Sequence, residues 1–442
     1  MVIENKKLLM ILVGGIAILV FVTLILILKN ISGGGTGPRT ALEFWGVFDD
    51  RTAFDGVIRG FQNQNPNVIV SYRQFSFGDY EKEVVDALAA GRGPDIWMIH
   101  NTWLPKHLDK LAPLPGRLKG TDKPAMTFKE FQNQFVDVAV NDLTSEGQIY
   151  AVPLYVDTLA LYYNKDSLNN AGITVPPKNW EEFNVAVEQL TKLDDSGNIV
   201  RAGAAVGTAK NINRSTDILT ALMLQSGVQM TDFDNVNATF AKSVDRTPVG
   251  ETALKYYTDF ANPSVRNYTW NDSQHYSIDA FTEGNAAMMF NYSHQINALN
   301  EKASRLNYAV APMPQISNTD IKNYANYWAV AVSKNSLASN EAWKFLSYLA
   351  SKEGTSGYLA QTFRPSARRD IIDIQKNDLT LGVFANQVLT AKSWYQIDSS
   401  AVESIFAEMI DDVNFGRLSV REALQNAESE VNVLMGRARR SR

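Results

Sequence analysis

Residues Gly147–Phe183 read GQIYAVPLYVDTLALYYNKDSLNNAGITVPPKNWEEF, and their pattern decides the fold. Glu146-Gly147 is a turn signal, and Gln148–Val152 after it alternates like a strand up to Pro153. Leu159–Tyr163 is a second apolar and aromatic run, of the length of a buried strand. Asn179 precedes Trp180 with Glu182 three residues on, a capped helix start that puts Phe183, Val187 and Leu190 on one face. Between the two strands stand Tyr155 and Asp157. A carboxylate in an apolar segment needs a partner or water, so Asp157 either lines a cleft or sits in a solvated connection.

Upstream, elements of the two periods alternate. Leu42–Trp45 is strand-like, and Phe54, Val57, Ile58 and Phe61 then recur at helical spacing until Asn65-Pro66. Val68–Tyr72 reads as a strand, Asp79 as the cap of a helix bearing Tyr80, Val84 and Leu88, Gly91 as its end, and Ile96–Ile99 as a third strand. Such alternation predicts a mainly parallel sheet with crossover helices, which binds ligands at the carboxyl ends of its strands. Downstream, Thr216–Ser226 and Gly250–Phe260 read as helices, and Ala286–Phe290, Tyr308–Ala311 and Tyr327–Val332 as strands. Asp194–Asn198 is a turn, with its glycine too early for a calcium loop.

Leu8–Leu28 is an apolar run interrupted only by Gly14, Gly15 and Thr23. As a helix it is about 31 Å long, enough for a hydrocarbon core of roughly 30 Å. It is longer than a signal-peptide core and lacks a small-residue cleavage site before Lys29. An uncleaved anchor is therefore expected at residues 1–29, followed by a Gly-rich linker at 30–40. The whole chain carries −5; setting aside Lys6, Lys7, Lys29 and Glu4, together +2, leaves −7. That balance argues against nucleic acid, whose binders present basic stripes. The chain has no cysteine, so disulfides, thiolate metal sites and a lipid-modified cysteine are excluded.

Gly147, Tyr150, Pro153, Asp157, Tyr163-Asn164-Lys165-Asp166, Pro177 and Trp180-Glu181-Glu182 together resemble the hinge region of the solute-binding proteins of sugar ABC importers, the maltose-binding-like group. The likeness continues through Gly93-Pro94-Asp95-Ile96, Ala280-Phe281 with Gly284 and Ala287-Met288, and Glu341–Leu349 followed by Gly354. Gly416-Arg417 before Val420, Ala423 and Leu424 extends it to the last helices. The resemblance implies an α/β, two-lobe periplasmic-binding-protein type II fold with interleaved lobes and a hinge, preceded by one transmembrane helix. Lobe one would be 41–155 plus 329–366, and lobe two 156–328 plus 367–442.

A sugar site needs flat aromatic faces and planar polar groups in a partly dry cleft. At strand ends and lobe crossings the resemblance points to Trp45, Asp49 and Asp50, and to Asn101 and Trp103 after the third strand. Trp45 could equally be core, and Asp50 a helix cap. Tyr155 and Asp157 stand at the first crossing, Tyr327 and Trp328 at the second, and Arg364 at the third. Asn291 and Tyr292 follow a strand where the family places a stacking aromatic, and Trp394 precedes the last helices.

No phosphate-cradling loop, His-Glu-x-x-His or Gly-x-Ser-x-Gly motif occurs, and the four histidines lack metal spacing. No catalysis, cofactor or metal is expected. The resemblance implies a monomeric receptor that captures a sugar or oligosaccharide between its lobes and delivers it to ABC permease subunits from the outer face of the cell membrane, held there through residues 8–28. Alternatives are an anchored nutrient sensor, a receptor for a polyamine or polyol phosphate, and an anchored glycan-degrading enzyme, whose two carboxylates composition alone cannot exclude.

Overall fold

The alternation at the front of the chain builds one half of a computed structural model that describes residues 39–121 and 125–440. The Thr40–Val47 strand pairs in parallel with Val68–Phe75 on one side and Ile96–His100 on the other. Trp328–Ser333 joins the sheet antiparallel to Ile96–His100 and carries Leu111–Ala112 and Ala151–Pro153 as its own antiparallel partners. The Thr52–Gln64 helix lays Phe54, Val57, Ile58 and Phe61 on this sheet, as their spacing predicts. These side chains join Leu42, Phe44, Trp97, Val330, Trp343 and Tyr358 in one buried core, each contributing roughly 1.5–3 kcal/mol of apolar burial.

A second core forms around Ala160–Asn164, flanked antiparallel by Met288–Asn291 and Tyr308–Ala311. Tyr162, Phe183, Trp270, Phe281, Met288 and Phe406 are buried there. The Trp180–Leu190 helix starts as expected, with the Asn179 side chain accepting from the Glu182 amide at 2.8 Å. Between the two cores lies a small sheet in which Asn323–Asn326 pairs with Asp157–Thr158 and Ala391–Lys392. Beyond Tyr327 the same chain enters the first sheet as Trp328–Ser333. The fold is thus α/β with two lobes.

Several local expectations shift. Gln148–Val152 is two short strands, because Gln148–Ile149 pairs with Thr144–Ser145 whereas Ala151–Pro153 pairs with Trp328–Ser333. Asp79 lies inside the first turn of the Phe77–Ala89 helix, where it accepts from Ser76, the residue that flanks the helix start. The Asp194 carboxylate closes its turn on the Ser196 and Asn198 amides, joining two short strands rather than a helix and a strand. The Leu8–Leu28 run and most of the linker fall outside the described residues. Among those described, no helix is long and apolar enough to cross a membrane.

Gly207 ends the buried Ala204–Val206 segment at φ +118°, and a Cβ there would lie 2.8 Å from the Ala261 nitrogen. Gly207→Ala is expected to lower stability by about 2–4 kcal/mol. Urea denaturation should show a lower midpoint at unchanged slope; an unchanged midpoint would mean the turn relaxes freely.

Candidate functional site

The space between the two cores is lined from both sides. Its inner part is a cavity of about 90 Å³. Phe77, His100, Trp103 and Trp328 face it from the side of the first core, and Arg214, Asp217, Trp394, Gln396 and Glu403 from the far side. Thr102, Trp394 and Gln396 also border a groove of about 510 Å³, whose walls include Asn101, Asn141 and Asp142 opposite Met230, Thr231 and Asn235.

The aromatic wall is interlocked. Trp328 meets Trp103 edge-to-face with ring centroids 5.1 Å apart, and His100 at 5.5 Å. Trp103 stacks on Tyr80 and donates its indole N–H to Ser399 across the cleft at 3.2 Å. Trp394 stacks on Phe406 and its buried indole N–H has no protein acceptor. His100 is bound to Thr102 and Asn326, and burial pushes it down to about 4, so the ring is neutral near pH 7.

The residues singled out from sequence fall into four groups. Asp49, Tyr155 and Arg364 form one unit. Arg364 donates to Asp49 at 2.7 Å, Tyr358 donates to the other oxygen at 2.6 Å, and the guanidinium lies 4.3 Å over the Tyr155 ring. Asn101 and Tyr327 converge on Asp142, a residue that the sequence did not single out, which also accepts from Ser393. Trp103, Trp328 and Trp394 line the inner cavity.

Asp157, Asn291 and Tyr292 form the fourth group. Asp157 accepts from the Thr158 amide and from both the amide and hydroxyl of Ser293. Tyr292 donates to Asp217 at 2.8 Å, and Asn291 donates to Asn213. The remaining two stand apart. Trp45 packs at 4.6 Å on Phe75 below Arg73, and Asp50 is exposed and accepts from the Thr52 amide.

Arg214, Asp217, Gln396, Ser399 and Glu403 were not singled out. Arg214 and Asp217 had a readable signal. Asn211–Asp217 is a polar run between the buried Ala204–Val206 and the apolar Ile218–Leu224, which is how a loop at a strand's carboxyl end reads. Glu403 lies in an amphipathic helix and looks like any solvated carboxylate.

Lys106 joins the two sides at the rim, pairing with Glu81 at 2.8 Å and with Asp398 at 2.8 Å. Burial works against ionisation of Glu81, but hydrogen bonds from His107 and Lys106 prevail and hold it down at about 2.

A family model described as bacterial extracellular solute-binding protein matches residues 57–380. The chain belongs to that family. A binding protein of Brucella abortus is 25% identical over 371 residues, covering 80% of this chain and 84% of the relative. The maltodextrin-binding protein MdxE of Bacillus subtilis is 25% identical over 387 residues, 85% of this chain and 84% of that one. Among solved structures, the cyclic alpha-maltosyl-1,6-maltose binding protein of Arthrobacter globiformis superimposes with a TM-score of 0.74 at 21% identity. It covers 90% of this chain and 99% of that one, a likeness that speaks to the fold. As a solute-binding protein of the extracellular type, the chain carries its globular part outside the cytoplasm.

Asp142 and Asp157 are both pushed up to about 6 by burial, against the hydrogen bonds each accepts. A native pKa above the unfolded value means that the fold holds these protons more tightly. The stability so gained is complete below about pH 4 and lost as pH rises through 6. Relative to wild type, Asp142→Asn should therefore gain on the order of 2 kcal/mol between pH 4 and pH 7. Urea titrations of both proteins at the two pH values test this; parallel pH profiles would show that Asp142 ionises without penalty.

Proposed function

We propose that the protein is the substrate-binding subunit of a sugar ABC importer, capturing a sugar or oligosaccharide between its lobes and handing it to the permease. The observation that supports this most is the inner cavity. Three indoles, two carboxylates and a guanidinium from both sides of one cleft surround it, the combination of ring faces and planar polar groups that a sugar requires. The names of the relatives, maltodextrin-binding protein and cyclic alpha-maltosyl-1,6-maltose binding protein, agree with it. The proposed ligand contacts are Trp103, Trp328, Trp394, Arg214, Asp217 and Glu403, with Asn101 in the adjoining groove. Asp49, Tyr155, Asp157, Asn291, Tyr292, Tyr327 and Arg364 hold the walls from behind.

No bond is made or broken in this reading. Ligand binds the closed arrangement better than the open one and shifts the population toward it. The lobes are proposed as 41–155 plus 329–366 and 156–328 plus 367–442, turning about the Asn323–Asn326 sheet. The Leu8–Leu28 run is proposed to stay as a membrane anchor. Mass spectrometry of the mature protein tests the anchor: an intact N-terminus is expected, and a new one between Lys29 and Arg39 would overturn it.

Titration of the full chain with maltotriose, followed by tryptophan emission and calorimetry, tests binding and closure together. A saturable emission shift is expected, since three tryptophans border the cavity. The absence of binding to maltotriose and to a panel of other oligosaccharides would remove the sugar reading. Lys106→Ala should weaken a confirmed sugar roughly 2- to 5-fold, because a partly exposed ion pair across the rim contributes up to about 1 kcal/mol to closure. An unchanged affinity would mean that the rim pair does not bias closure.

A further inference from the structure

Arg214 is the least ordinary residue of the cleft. Its backbone is left-handed, φ +65°, at the position before the Ser215–Gln225 helix. Left-handed geometry costs a non-glycine residue on the order of 1 kcal/mol. Its Nε is buried without a hydrogen-bond partner, the Tyr292 ring lies 5.6 Å below the guanidinium, and the nearby carboxylates of Asp217 and Glu403 favour its charge through space rather than by direct hydrogen bonds. By contrast Arg364, the other arginine near the cleft, is fully engaged by Asp49 and Tyr155. Arg214 therefore presents a free donor fork to the cavity it lines.

Two carboxylates share that cavity. Asp217 has one oxygen engaged by Tyr292, and Glu403 borders the cavity as a second acceptor. A fork of donors facing acceptors across a small chamber matches adjacent hydroxyls, each of which can accept from the guanidinium and donate to a carboxylate. A ligand anion would meet two carboxylates against one guanidinium. Like-charge approach in a desolvated site is the means by which wrong partners are rejected. The chamber is small, about 90 Å³, and the groove beyond Trp394 is open to further units.

Resting on the sugar-receptor reading above, we propose that Arg214 and Glu403 form a donor–acceptor pair that selects neutral sugars by a vicinal diol and excludes acidic sugars. An array of neutral, uronic and phosphorylated sugars, probed with the full chain, should yield only neutral binders. For the tightest of these, Arg214→Met should lose roughly 30-fold or more and Glu403→Gln roughly 10-fold in affinity, as hydrogen bonds to charged groups do. Removing one hydroxyl of the diol should weaken wild type but add little in Arg214→Met. Arg214→Gly, which suits the left-handed backbone, should lose binding while its unfolding temperature without sugar stays within about 2 °C of wild type.

An acidic sugar that binds as well as its neutral counterpart, or an unaffected Arg214→Met, would overturn the selection mechanism alone. A collapse of stability in Arg214→Gly would instead assign Arg214 to the fold and overturn the proposal. If no sugar on the array binds, the receptor reading itself falls, which is a separate outcome.

Discussion

The buried carboxylate of Asp157 is the constraint from which the cleft follows. It is 2% exposed, too dry for water to satisfy it, so three protein donors must. Two of them belong to Ser293, far away in sequence, and that clasp fixes the segment just after the Met288–Asn291 strand. Tyr292 is thereby held with its hydroxyl on Asp217 and its ring under Arg214. The chain of dependence runs from one carboxylate at a lobe crossing to the two charged groups that face the cavity. None of those links is an ion pair with Asp157 itself, which is why burial dominates its protonation.

The fold was legible because its elements are strongly periodic. The Phe54, Val57, Ile58 and Phe61 spacing, the Asn179 cap and the Tyr308–Ala311 strand all stand where pattern and capping chemistry place them. Where the reading slipped, a choice of partner decided. Gln148–Val152 divides because its two ends pair with different strands, and Ser76 took the helix-flanking place expected of Asp79. Periodicity cannot register such choices.

The site was legible by halves. Trp103, Trp328 and Trp394 could be named because the resemblance directs attention to aromatics after the third strand, at the second crossing and before the last helices. Glu403 could not, because one carboxylate on an amphipathic helix carries no mark in sequence; only packing tells which face is solvated and which is turned to a cavity. Asp49 and Arg364 show the opposite effect. Both looked like ligand contacts, yet they bind each other, and a buried pair so complete has little capacity left for anything else.

The contacts that close the cleft differ in kind from those inside each lobe. Within the lobes, fully buried aromatics such as Trp97, Trp270 and Trp343 carry the cohesion. Across the cleft the structure uses polar groups near the rim: the Trp103 indole on Ser399, and Lys106 on Asp398 with both side chains about one-third exposed. Interactions of that type are each of the order of 1 kcal/mol or less after solvent competition. A hinge closed by such contacts lies near balance, whereas one closed by an apolar interface would remain shut. Near balance, a ligand that offers hydrogen bonds to both walls has enough differential affinity to determine the state. In the closure proposed above, the weakness of the rim is what would let the interior of the cleft control the state.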